Sequence, residues 1–166
     1  YPGGAVMFIE MPNFWTKLPK PFFCLAPMEA VTDFVFREIF ARHGKPDVMF
    51  TEFVNVDGLL HPEGQKKLLW DLKFSEQQRP IVAQIWGTDP KKFTQAAKLV
   101  ASLGFDGIDI NMGCPDKTIE KQGAGAAMIK SPEKAKEIIR AAKSAGLPVS
   151  VKTRIGFNTV QIDEWI

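Results

Sequence analysis

The sequence predicts an α/β fold, a partial TIM (β/α)₈ barrel comprising about its first five strands, with a parallel sheet and flanking helices. Two observations predict it. Short, nearly continuous apolar runs alternate with segments of helical spacing, and the distinctive residues fall where the apolar runs end. Strands that are apolar throughout are covered on both faces, as in a parallel sheet wrapped by helices. A doubly wound open sheet would share that pattern but gathers its site at one switch point. Here successive strand ends each carry polar groups, and no GxGxxG follows any strand, which favours the barrel.

Residues 1–21 carry scattered Pro and Gly and are expected to form an irregular leader, with residues 22–166 as the barrel part. Phe22 to Ala26 reads as a buried strand closed by Pro27. Asp33 to Arg42 has Phe34, Phe36, Ile39 and Phe40 at helical spacing, with Thr32 as the expected N-cap and Gly44 as the stop. Asp47 to Thr51 is a second strand and Pro80 to Trp86 a third. Asp89 and Pro90 open the next helix, which places Phe93, Ala96, Ala97 and Val100 inward and stops at Gly104. Phe105 to Ile110 is a fourth strand. A helix from Ser131-Pro132 to Gly146 follows, then a fifth strand, Pro148 to Thr153.

A chain of 166 residues, 45% hydrophobic and 24% charged, has the make-up of a globular protein with a real core. The net charge of +2 neither proposes nor excludes a nucleic acid, because Lys and Arg are interleaved with Asp and Glu. Cys24 and Cys114 are far apart and lack CxxC spacing, which excludes a disulfide framework and a zinc ribbon and suits a reducing cytoplasm. The first residues lack the pattern of a signal peptide, and no apolar run approaches a membrane span, so a soluble protein is expected. His43 and His61 have no metal-ligand spacing and are read as surface residues.

Four groups of residues could carry chemistry. Asp109-Ile110-Asn111-Met112-Gly113-Cys114-Pro115 ends a strand and delivers a thiol to the rim, where it can act as proton donor or nucleophile. Cys24, inside an apolar strand, reads instead as a small buried hydrophobe. Lys152 and Arg154 alternate at a strand end and point the same way, which suits an electron-rich or anionic group, although a solvated strand end would look alike. Gln84 could pair with the edge of a heterocycle or merely cap the rim. Gln122 to Met128 is rich in small residues, which close loop packing explains as well as ligand contact does.

Taken in order, these pieces resemble the tRNA-dihydrouridine synthase family. The matching stretches are Ala26-Pro27-Met28, Val31-Thr32-Asp33, Phe36-Arg37, Thr51-Glu52-Phe53, Gln84-Ile85-Trp86-Gly87, Asp106 to Pro115, Gly123 to Ala127, and Val151 to Gly156. The resemblance implies an FMN enzyme that reduces uridine in tRNA to 5,6-dihydrouridine, with NADPH as the source of hydride. It implies that Cys114 protonates the base as general acid, that Pro27, Met28, Gln84 and Lys152 hold FMN with Glu29 in the same loop, and that Asn111 contacts the base. Arg37 and Arg154 are candidates to meet the substrate's phosphates. The nearest rival is a dihydroorotate or dihydropyrimidine dehydrogenase-like FMN barrel with a similar Asn-x-x-Cys-Pro loop. A non-catalytic product is the other.

A full barrel has eight strands and typically ~250 residues. The later strands, a barrel histidine and the family's helical tRNA-holding domain find no counterpart before Ile166. A segment of this length is therefore expected to bind FMN weakly or not at all, and to aggregate or dimerise through its open edge.

Overall fold

The computed structural model describes residues 13–166. A short 3₁₀ turn, Phe14–Lys17, comes first, followed by β1 (Cys24–Leu25), α1 (Phe34–His43), β2 (Val48–Phe50), β3 (Val54–Asn55), α2 (Val56–Leu60) and α3 (Pro62–Asp71). The chain continues through β4 (Ile81–Trp86), α4 (Pro90–Ser102), β5 (Gly107–Met112), α5 (Lys117–Lys121), α6 (Pro132–Lys143), β6 (Val149–Thr153) and α7 (Ile162–Trp165). The strands are parallel in the order β1-β2-β4-β5-β6, curled into a half-barrel with flanking helices. β2 meets β4 at Ile81 and Val82, and β3 meets it at Ile85 and Trp86, so β2 and β3 are two pieces of one barrel strand.

Alternation sorts each strand into two faces. On β4, Ile81, Ala83 and Ile85 turn outward; on β5, Ile108, Ile110 and Met112 do the same. They meet Phe93, Ala96, Ala97 and Val100 of α4 and Ala135, Ile138 and Ala142 of α6, which are buried. Burying a Phe, Val or Ile side chain contributes about 1.5–3 kcal/mol, so this outer layer supplies most of the cohesion between sheet and helices.

The inner face has two zones. At its base Val48, Phe50 and Val82 form a small apolar cluster covered by Phe14, Trp15 and Leu18. A Cβ on Gly107 would stand 3.2 Å from the Phe14 ring, so the turn lies directly against the strand. Higher up, the inward residues become polar. Part of the expected irregular leader is thus an ordered plug; its residues 1–12 lie outside the described residues.

Several local expectations need correction. The first strand is only Cys24–Leu25, and Cys24 is exposed rather than buried, because β1 lies at the sheet edge with β2 as its one strand neighbour. The N-cap of α1 is Asp33, whose carboxylate accepts from Phe36 N at 2.7 Å; Thr32 is buried and bonds back to Met28. α2 and α3 were not anticipated between the second and third strands. His61 is exposed, as expected, but also caps α3, its Nδ1 accepting from Glu63 N at 3.3 Å. Asp89 caps α4 as the sequence suggests, accepting from Lys91 N at 2.8 Å.

If the Phe14 turn closes the barrel base, Phe14→Ala costs about 1–2 kcal/mol of stability, a fraction of a full core deletion because the ring is half-buried. Urea unfolding measures this directly. A loss of only a few tenths would mean the turn is a loose appendage.

Candidate active site

The chemistry-bearing side chains gather where the strands end. Across the inner face, pairing sets Gln84 beside Asp109 and Asp109 beside Ser150, and one step further along sets Asn111 beside Lys152. Asp109 is 2% exposed and Gln84 fully buried. Gln84 Nε2 donates to Asp109 Oδ2 at 2.5 Å, and Ser150 Oγ donates to Asp109 Oδ1 at 2.7 Å. Burial pushes the Asp109 carboxyl above the usual carboxylate range, against the opposing pull of these two hydrogen bonds and of the Lys152 charge. Gln84 is also fixed through its backbone, whose N–H donates to Thr51 Oγ1 at 3.1 Å.

From this floor the bonding climbs to the cysteine. Asn111 Nδ2 donates to Gln84 Oε1 at 3.2 Å. Asn111 Oδ1 accepts from Gly113 N at 3.1 Å and Cys114 N at 2.9 Å. Asn111 thus folds the loop that follows β5 back over its own side chain. The other side of that loop is held by the small-residue segment: Ala126 N donates to Cys114 O at 2.9 Å. Gly125 has φ +58°, and a Cβ there would fall 2.5 Å from Cys114 O. Close packing against the cysteine loop therefore explains the glycine. Cys114 itself is half-buried, its backbone bonded on both sides.

The loop after β1 forms the opposite part of the rim. Val31 N and Thr32 N donate to Met28 O at 3.1 and 3.0 Å, and Met28 N donates to Thr32 Oγ1 at 2.9 Å. Ala30 sits at φ 56°, and its N–H donates to the Glu52 carboxylate. Burial is the main cause that raises the Glu52 carboxyl above its ordinary range. Within this turn Pro27 is half-buried, while Met28 and Glu29 are exposed. Glu29, Glu52, Asn55, Asp71, Trp86 and Asp116 help line a cleft of about 620 Å³.

Of the residues singled out in the sequence, Gln84, Asn111 and Cys114 are joined in one bonded chain, with Lys152 beside Asn111 in strand register. Arg154 is exposed, and its Nε donates to Gly113 O at 2.6 Å, tying β6 to the cysteine loop. Arg37 is corrected: it is fully buried, bonding Gln78 Oε1 at 3.0 Å and the carbonyls of Thr32 and Lys73, both at 2.5 Å. Desolvation lowers its pKa to about 10, and it is not free to meet a phosphate. Asp109, Ser150 and Glu52 were not assigned roles from sequence. The one available signal was an ionisable residue at the centre of an apolar strand. Among the described residues no group of three or more His, Cys, Asp or Glu could hold a metal ion, and no helix is long and apolar enough to cross a membrane.

The sequence model of the dihydrouridine synthase (Dus) family matches residues 24–164, nearly the whole chain and every strand described above. This chain belongs to the dihydrouridine synthase family. A probable tRNA-dihydrouridine synthase of Staphylococcus aureus (strain COL) is 52% identical over 153 residues, covering 92% of this chain and 46% of that protein. A probable tRNA-dihydrouridine synthase of Staphylococcus epidermidis (strain RP62A) and a probable tRNA-dihydrouridine synthase 2 of Bacillus subtilis (strain 168) match with the same identity and coverage. The chain thus spans about half the length of the curated relatives it matches.

Two outcomes test the site's construction. Gly125→Ala combines a left-handed backbone with a collision at Cys114 O, and is expected to cost about 1–3 kcal/mol in thermal or urea unfolding. An unchanged stability would show that the loop relaxes freely. Asp109 has its pKa raised on folding, so the folded chain holds its proton more tightly than the unfolded chain does. Its charge opposes folding above the folded pKa, and acidification through that pKa relieves the penalty. Asp109→Asn is therefore expected to raise the melting temperature near neutral pH, with the gain shrinking as pH falls. A gain that grows on acidification would contradict the direction of the shift.

Proposed function

We propose that this chain forms the cofactor-facing half of a tRNA-dihydrouridine synthase, which reduces the 5,6 double bond of uridine in tRNA using FMN, with NADPH as the hydride source. The observation that carries the reading is Cys114, half-exposed on the barrel rim with its backbone clamped by Asn111 and Ala126. The family match and the names of the relatives favour tRNA over a free pyrimidine as substrate.

The residues present fit the ring end of a flavin. Met28 offers exposed apolar surface on a tightly bonded turn, with Pro27 and Glu29 in the same loop. Lys152 places a cation at the strand end beside Asn111, where it would stabilise negative charge on the ring's N1/O2 edge. Gln84, fully buried, supports that set from beneath through its bond to Asn111. FMN, when bound, supplies the hydride that reaches C6 of the uracil.

The protein's own part is to hold the base and deliver a proton. The Cys114 thiol gives its proton to C5, so that hydride and proton together saturate the bond. Asn111 spends its carbonyl oxygen on the Gly113 and Cys114 amides and keeps an amide hydrogen for a carbonyl of the base. Arg154, exposed beside the cysteine loop, is placed to meet the substrate's phosphates. A base stacked in a duplex cannot reach this rim, so the target nucleotide is flipped out. A tRNA substrate and the two cysteines without disulfide spacing fit a cytoplasmic protein.

The test compares flavin absorbance and dihydrouridine formation on tRNA for the whole protein carrying this chain and for its Cys114→Ala variant. Flavin is expected in both, with the rate in the variant lower by about 10²-fold or more, the scale of general acid catalysis. Bound flavin with an unaltered rate would leave Cys114 a structural residue. Turnover of free dihydroorotate or uracil, but not of tRNA, would replace the synthase reading with the dehydrogenase one.

A further inference from the structure

Asp109 is buried, ionisable and unused by the chemistry above. We propose that it is a positioning residue that sets the polarity of the side-chain amides leading to Cys114, an inference that rests on the reading of the previous subsection.

Both Asp109 oxygens act as acceptors, one for Gln84 Nε2 at 2.5 Å and one for Ser150 Oγ at 2.7 Å. A carboxylate has no hydrogen to give, so Gln84 must turn its NH₂ group toward it. That choice directs Gln84 Oε1 to the other side, where Asn111 Nδ2 donates to it at 3.2 Å. Asn111 must in turn point its own oxygen away from Gln84. There the backbone N–H groups of Gly113 and Cys114 meet it at 3.1 and 2.9 Å.

Each amide has a donor end and an acceptor end of nearly the same shape, so packing alone does not choose between its two orientations. The order is fixed by what lies at the ends of the chain: an acceptor-only carboxylate at the base and two donor-only backbone amides at the rim. Reversing Gln84 would set oxygen against the Asp109 oxygen and NH₂ against the Asn111 NH₂. The rim amides turn Asn111 so that it faces the substrate as a hydrogen-bond donor, and Asp109 closes the same order from below by accepting from Gln84. Such a group recognises a pyrimidine carbonyl and gives no acceptor to an exocyclic amine. The same bonds hold the turn that carries the Cys114 thiol. Ser150 holds the second carboxylate oxygen, and Lys152, one step along on the same strand, is the nearby cation.

The whole protein is assayed for dihydrouridine formation at limiting and saturating tRNA, as wild type, Asp109→Ala, Asp109→Asn, Gln84→Ala and the Asp109→Ala/Gln84→Ala double variant. Melting temperatures accompany each. Asp109→Ala is expected to lower kcat by about tenfold or more with KM nearly unchanged, and the double variant to be no slower than the worse single one, since coupled residues do not add. Asp109→Asn keeps an acceptor for Gln84 and an amine for Ser150 Oγ, so it restores kcat to within about threefold of wild type. Independent, multiplying losses, or an Asn variant as slow as the Ala variant, would overturn the proposal.

Should Asp109→Ala fail to fold, Gln84→Glu sets carboxylate against carboxylate, and adding Asp109→Asn restores a donor–acceptor pair; no recovery of rate would equally sink it. A second readout needs no turnover: alkylation of Cys114 by iodoacetamide, followed by peptide mapping. Its rate is expected to change in Asp109→Ala and to return in Asp109→Asn. If the wild type forms no dihydrouridine, the synthase reading fails while the labelling still decides the role of Asp109.

Discussion

β4 and β5 are covered on both faces, so any polar side chain they turn inward must find its partners among other inward side chains. Water cannot satisfy it there, and an unmade hydrogen bond would cost about 1–3 kcal/mol. The sheet meets this constraint by register. Parallel pairing sets Gln84, Asp109 and Ser150 in one row and Asn111 with Lys152 in the next; Gln84 and Ser150 both donate to Asp109, and Asn111 donates to Gln84. Among the described residues no buried side-chain nitrogen or oxygen lacks a partner. The polar floor is a consequence of how the covered central strands of the half-barrel must satisfy their inward side chains.

The barrel interior is graded along its axis. Its base is apolar and plugged by Phe14, Trp15 and Leu18; its upper half is polar and opens toward the loops. The grading suits a catalyst at the C-terminal ends of the strands. The plug excludes water from below, and the polar row gives the rim a rigid foundation. Above it the loops brace one another. Gly125 lies against the Cys114 carbonyl, Arg154 holds Gly113, and Glu52 holds the Ala30 amide in the turn after β1. Together these contacts hold the backbone of the Cys114 loop from both sides.

The family resemblance and the structure bear on different questions. The match over residues 24–164 says which family the chain belongs to. The bonded chain from Asp109 to Cys114 says how these side chains are held for it. Gln84 illustrates the difference. From sequence it is a possible ring contact or a rim cap, and in the fold it is a buried link between a carboxylate and the loop above.

The sequence alone determined the alternation of strand and helix, the helix start at Asp89-Pro90 and the presence of a cysteine loop after the fourth apolar run, because these depend on local periodicity and local turn chemistry. The tertiary structure decided the rest. Cys24 lies in an apolar run yet is exposed, since burial at a sheet edge depends on neighbours that local pattern does not specify. Arg37 and Asp109 are both charged residues that the fold buries, one bonded to carbonyls, the other to an amide and a hydroxyl. Most of their partners lie far away in the chain: Lys73 and Gln78 for Arg37, and Gln84 and Ser150 for Asp109. Hydrogen bonds between residues that distant are set by strand register and helix packing, which no local pattern encodes.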